Sequence, residues 1–190
     1  MGRSWQTYQA EQRATAIREL LGLGSHEPLD PFQLAAKLQM AVVDPRDIPD
    51  VSATNLNRVL REDHAAWSAG TVRLADGGAV VILNPTHSKL RNKSTLMEES
   101  CHLILGHEPT KICVVNATNI AFRSWDKIQE EEAYRVGSAA LVPYEALRTM
   151  VDASLTIQQI AKHFDVTRDL VKFRIKVNGL WKKYSRLHGA

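Results

Sequence analysis

The chain has 190 residues, 44% hydrophobic and 24% charged, with a formal net charge of +3. That is the composition of one compact domain with a real core, and it excludes disordered, collagen-like and disulfide-scaffold classes. No apolar run approaches the eighteen or so residues a membrane span needs, the polar N-terminus lacks a signal-type apolar stretch, and the two cysteines form no CxxC pair; together these features predict a cytoplasmic protein with no membrane partner.

In chain order, Ser4 to Gly24 has a helical period, with Tyr8, Ala14, Ile17, Leu20 and Leu21 expected on one side and Gly22 and Gly24 as a stop. Asp30-Pro31 has the form of a cap followed by a first-turn proline, opening a second helix with Phe32, Leu34, Ala35 and Leu38 apolar. "MAVVDP" predicts a short strand closed by Pro45, while residues 46–64 fit loop or helix equally. "GTVRL" and "AVVIL" flank Asp76-Gly77-Gly78, the turn chemistry of an antiparallel hairpin. The helical period returns near Lys93 in "TLMEESCHLILGH". The apolar "KICVV" comes next, then a helix from near Trp125 to Leu141 with Pro143 after it, and two short helices lead into a basic tail.

Residues four apart share a helix face, so Glu98 and His102 can reach one metal ion together. Glu99, about 100° round, is placed to act as general base toward an attacking water. This resembles a His-Glu-x-x-His helix with Glu98 standing where the first histidine would be. A third protein ligand has to come from elsewhere, and "QEEEAYRVGSAALVP" offers Glu130, Glu131 and Glu132 ahead of small residues, Gly137 to Ala140, that permit close helix packing. Each feature also has a plain structural explanation: a Glu-Glu pair as a solvated face, and an acidic first turn as a match to the helix dipole. His107 is expected at a helix end, His87 in a loop hydrogen bond, and Cys101 as a small packed residue rather than a nucleophile.

The ordered set of segments resembles the ImmA/IrrE family of metallo-endopeptidases. "PLDPFQLAAKLQM", "WSAG", "NPTHSKLRNKSTL", the metal-type helix and "EEEAYRVGSAALVP" occur in the family's order, with Ala133, Leu141 and Pro143 in register. The resemblance implies an α+β, mainly helical fold: a zincin-like metallopeptidase core with a small antiparallel sheet, a metal-site helix and a second ligand helix. A metallopeptidase-like domain over residues 1–150 would be followed by a helix-turn-helix-like segment, 151–190, packed on it. It implies Glu99 as the catalytic base and His102 and Glu130 as ligands, with Glu132 as the alternative to Glu130. Glu98 is the departure from the pattern.

A carboxylate can ligate zinc, but Glu98, His102 and Glu130 form a harder, more negative set that favours manganese or iron relative to zinc. Without an ion, the crowded carboxylates would take up a proton. The expected cofactor is therefore one divalent ion, zinc or manganese or iron, with an ion-free state as the alternative.

From Val151 onward there are eight Lys/Arg against three Asp, a net of +5, which leaves −2 for the rest of the chain. "TIQQIAKHFDVTRDLVKFRIKVNGL" has a helix-turn-helix pattern, capped at Thr167, with Arg168, Lys172, Arg174 and Lys176 as candidate phosphate contacts. The resemblance implies proteolysis of a helix-turn-helix repressor in stress response or mobile-element control. Two alternatives stand beside it: a non-cleaving regulator paired with a repressor or antitoxin, and a DNA-binding protein acting through its tail.

Overall fold

A computed structural model describes residues 4–75, 77–108, 112–115, 120–123 and 126–189. Asp76 of the expected turn, Lys111 and Trp125 lie outside the described residues. Helix α1 (Trp5–Leu20) starts where the Ser4 hydroxyl accepts from the Thr7 amide. Ala10, Ala14 and Ile17 form its buried stripe, with Thr7 beside them, whereas Tyr8 and Leu20 are exposed, contrary to the helical period. The helix docks through alanines and the buried Arg18, whose guanidinium donates to the carbonyls of Ala140, Gly24 and Glu27. At α2 (Pro31–Lys37), Asp30 caps the Phe32 amide as expected, but Phe32 itself is exposed, and of the four residues expected to be apolar contacts only Leu34 and Ala35 bury fully, with Pro31 buried beside them.

Strands β1 (Met40–Val43), β2 (Ala69–Arg73) and β3 (Ala79–Leu83) form a sheet ordered β1-β3-β2. β2 and β3 are the antiparallel hairpin read from sequence, but β1 pairs with β3 in parallel, so the sheet is mixed rather than purely antiparallel. A parallel neighbour needs a long connection, and the segment between Val43 and Ala69 supplies it. That segment contains α3 (Ala53–Asn57), which runs into a wider π-type turn at Arg58–Glu62. A separate antiparallel pair joins β4 (Ile112–Val115) and β5 (Ile120–Arg123).

The exit from β3 is held rigidly. Asn84 is fully buried; its side-chain amide donates to the carbonyls of His64 and Trp67, and its Oδ1 accepts from Thr86. Four residues later Ser88 caps α4 (Lys89–Ile104) by accepting from the Arg91 amide. Helix α5 (Lys127–Leu141) begins at Asp126, whose carboxylate accepts from the Ile128 and Gln129 amides.

The two helices approach closely at Gly137, where a Cβ would stand 3.3 Å from Met97 Cγ and 3.4 Å from Cys101 Sγ. Leu96, Met97 and Cys101 on α4 and Ala133, Val136, Ala139 and Ala140 on α5 are all buried. Each large apolar side chain buried this way stabilises the packing by about 1.5–3 kcal/mol. The geometry that brings α4 and α5 together therefore rests on a well-buried seam.

Helices α6 (Tyr144–Asp152), α7 (Ile157–Phe164), α8 (Arg168–Val177) and α9 (Trp181–His188) complete the chain. Thr156 and Gln159 form a full capping box on α7, Asp165 turns the chain in a left-handed conformation, and Thr167 caps α8. Ile160, Phe164, Leu170, Val171 and Ile175 join the same buried cluster as Ala10, Met97 and Val136.

Candidate metallopeptidase-type site

α4 presents Glu98 and His102 toward the start of α5, where Glu130 stands. His102 Nε2 lies 3.6 Å from Glu130 Oε2. The Glu98 carboxyl is pushed up from its ordinary 4.5 to about 7, first by burial, then by the charges of Glu130 and Glu99. This proton uptake is what crowded carboxylates at these positions are expected to show. Glu99 points to β2, where its Oε2 accepts from the Thr71 hydroxyl at 2.7 Å.

Glu132 occupies a different position. It pairs with Arg13 of α1 and with His107 Nε2, the latter at 3.2 Å. Burial raises its pKa, but hydrogen bonds from Arg13 and His107 outweigh this and hold it below the usual carboxylate value.

His107, expected to interact with the dipole at the end of α4, is instead a buried partner of the site, with Nδ1 3.0 Å from His102 Nδ1. One local signal points to it: Gly106 (φ +67) reverses the chain there and returns the ring toward α4. Arg73 of β2 is a second residue that sequence reasoning missed, donating to the carbonyls of His102 at 3.2 Å and His107 at 2.5 Å. It satisfies acceptors at the C-terminal end of α4, where cationic groups are favoured.

Burial, and after it the charges of Arg91 and His64, lower the pKa of His87, so its surroundings differ from those of His102. Cys101 is fully buried, and burial pushes its thiol far above the reactive range. It is a packing residue.

Among the described residues no group of three His, Cys, Asp or Glu side chains is gathered tightly enough to enclose an ion. The donor chemistry nevertheless suits a divalent cation: two carboxylates and an imidazole approach one another from α4 and α5, and the Glu98 carboxyl, pushed up first by burial and then by the Glu130 and Glu99 charges, would be relieved by a cation there.

One candidate from the tail is corrected. Arg174 cannot be a phosphate contact, because it is 1% exposed, donates to the Val142 carbonyl and pairs with Glu11 of α1. Arg168, Lys172 and Lys176 remain exposed along one side of α8.

The family model for the IrrE N-terminal-like domain, a peptidase family, matches residues 53–176, a span that holds both α4 and α5. The chain belongs to this family. Sequence comparison with curated proteins gives no match. Among solved structures, a Mycobacterium tuberculosis transcriptional regulator is similar at 12% identity with a TM-score of 0.50. The alignment covers 88% of this chain and 46% of that one, so the chain spans less than half of that regulator, and the likeness is one of fold. The residues brought together here lie on α4 and α5, both inside the matched span. No helix among the described residues is long and apolar enough to cross a membrane.

Proposed function

We propose that this protein is a metal-dependent, endopeptidase-type regulator whose substrate is a helix-turn-helix transcriptional repressor. The observation that carries the reading is the approach of Glu98 and His102 on α4 to Glu130 on α5, with His102 Nε2 3.6 Å from Glu130 and Glu99 beside them on α4.

Glu98, His102 and Glu130 would hold the ion. With two carboxylates and one imidazole the set is hard, and it favours manganese or iron over zinc. Bound there, the ion supplies Lewis acidity for a peptide carbonyl. Glu99, oriented by Thr71, takes a proton from the attacking water at its carboxylate and returns it to the leaving amine. β2 lies beside this position and, among the described residues, pairs on one side only, with β3. Its open edge can hydrogen-bond an extended substrate strand next to Glu99.

The test is metal content by mass spectrometry on protein purified without chelator, beside His102→Ala and Glu98→Ala. Near-stoichiometric ion lost in both variants, with cleavage of a co-encoded repressor that Glu99→Gln abolishes, is the expected result. A parent chain that takes up no manganese, iron or zinc refutes the reading.

A second reading is favoured by one observation. Glu98 stands in the first-histidine position and its carboxyl is pushed up to about 7, first by burial, as suits a non-cleaving member that binds a repressor or antitoxin. Partner binding unaffected by Glu99→Gln and by chelation would establish it. Direct DNA binding rests on Arg168, Lys172 and Lys176 alone, and requires a salt-dependent duplex affinity that is lost when they are replaced.

A further inference from the structure

His107 lies just past α4 with 7% of its surface exposed, and its two ring nitrogens face different partners. Nε2 stands 3.2 Å from Glu132 Oε2, and Nδ1 stands 3.0 Å from Nδ1 of His102. The rings meet edge to face, with centroids 5.0 Å apart. The backbone is fixed as well: the His107 amide donates to the His102 carbonyl at 3.0 Å, and Arg73 donates to the His107 carbonyl. Arg13 occupies the other oxygen of Glu132.

With both rings neutral, these contacts constrain the direction of the protons between them. Arg13 only donates, so the Glu132 carboxylate accepts from both of its neighbours. His107 therefore carries its proton on Nε2, and in a neutral ring this makes Nδ1 an acceptor. The facing nitrogen of His102 must then be Nδ1–H. It follows that the lone pair of His102 is on Nε2, the atom on the side of Glu130. No other arrangement of two neutral rings satisfies both hydrogen bonds.

We propose that His107 is a positioning residue of the site, the middle of an Arg13–Glu132–His107–His102 relay that fixes the tautomer and ring orientation His102 needs to ligate through Nε2. The ligand role of His102 rests on the reading above, whereas the tautomer can be measured in ion-free protein. The relay explains why two acidic residues two apart in one helix have separate tasks: Glu130 faces His102 directly, and Glu132 acts through His107. Partners of this kind beyond the ligands typically alter ion affinity by about 10–100-fold.

The experiment is long-range proton–nitrogen NMR on the full, ion-free chain with labelled histidine near pH 8, paired with manganese, iron(II) and zinc titrations. The expected spectrum shows His102 protonated at Nδ1 and His107 at Nε2. In His107→Leu the His102 tautomer should become mixed and ion affinity should drop by about 10–100-fold, with His107→Gln restoring part of both through its amide oxygen. Glu132→Ala, at a half-exposed position where truncation leaves no cavity, should shift the tautomer in the same direction by less. A parent His102 protonated at Nε2, or a tautomer unchanged in both His107→Leu and Glu132→Ala, overturns the proposal. The stated tautomer in a chain that binds none of the three ions refutes the metal reading and supports the positioning role.

Discussion

At the scale of single residues, Glu98 has the clearest consequence. Its carboxyl is raised from 4.5 to about 7 in the folded state, so between those values the folded chain binds a proton that the unfolded chain has released. The stabilisation this gives is complete below about pH 4.5 and is lost as pH rises through about 7. Ion-free protein should therefore lose stability toward alkaline pH, and Glu98→Gln, which keeps shape without charge, should remove most of that loss. A gain on the order of 2 kcal/mol at about pH 8 is expected from the shift, read by chemical denaturation at several pH values. A pH profile identical in parent and variant would contradict the assignment of the buried proton to Glu98. Glu99→Gln should behave differently, sparing both stability and ion content while abolishing any cleavage, because its side chain is tied only to the exposed Thr71 hydroxyl among the described residues.

The residue scale also shows how far spacing can be trusted. Glu98 and His102 share a face because they are four apart on a helix, and the structure puts both toward Glu130. The choice between Glu130 and Glu132 depends on helix phase, which periodicity alone does not fix. Arg13 and His107 engage Glu132 and leave Glu130 opposite His102. Neither partner is near in sequence to the triplet, so no local pattern could reveal the arrangement.

At the scale of elements, the α4–α5 pair decides whether a site exists. Gly137 sits against Met97 and Cys101 with little room for a larger side chain. Alanine there should be accommodated by a small movement of the Met97 side chain. Gly137→Val should cost about 1–3 kcal/mol through overpacking and weaken ion binding by separating His102 from Glu130. Thermal melts alongside ion titration test this, and a Gly137→Val variant with undiminished ion affinity would show that the close approach is not what forms the site. The helices themselves are legible because their caps are local: Asp30, Asp126, Thr156 and Thr167 each bond amides two or three residues on. The parallel β1–β3 pairing is not, because the strands are far apart in sequence and an apolar strand carries no mark of its neighbour's direction.

At the scale of the whole molecule, the tail is bound into the core. Arg174 reaches from α8 to Glu11 of α1 and the Val142 carbonyl, and Glu11 also accepts from the Tyr144 amide. Arg174→Ala should therefore destabilise the chain by about 3–5 kcal/mol, since it leaves a largely buried carboxylate without its cation. Replacing exposed Arg168, Lys172 and Lys176 should change stability by no more than about 0.5 kcal/mol each. Denaturation of the four variants separates these outcomes, and an Arg174 variant as stable as the parent would contradict the structural role assigned to it. Basic charge on a helix is thus two different things here, a buried tie and an exposed stripe, and composition counts them together.

Residue order alone was enough for the capped helices, the hairpin, the family and the residues of α4 that turn toward α5. These follow from local hydrogen bonding, from periods of two and 3.6 residues, and from an order of motifs along the chain. Four features needed the assembled fold: β1 runs parallel to β3, Arg174 is interior, Glu130 rather than Glu132 faces His102, and His107 packs against His102. The physical reason is common to all four. Each depends on which distant segment fills the space beside a side chain, and burial and hydrogen-bond satisfaction settle that only when the whole core is in place.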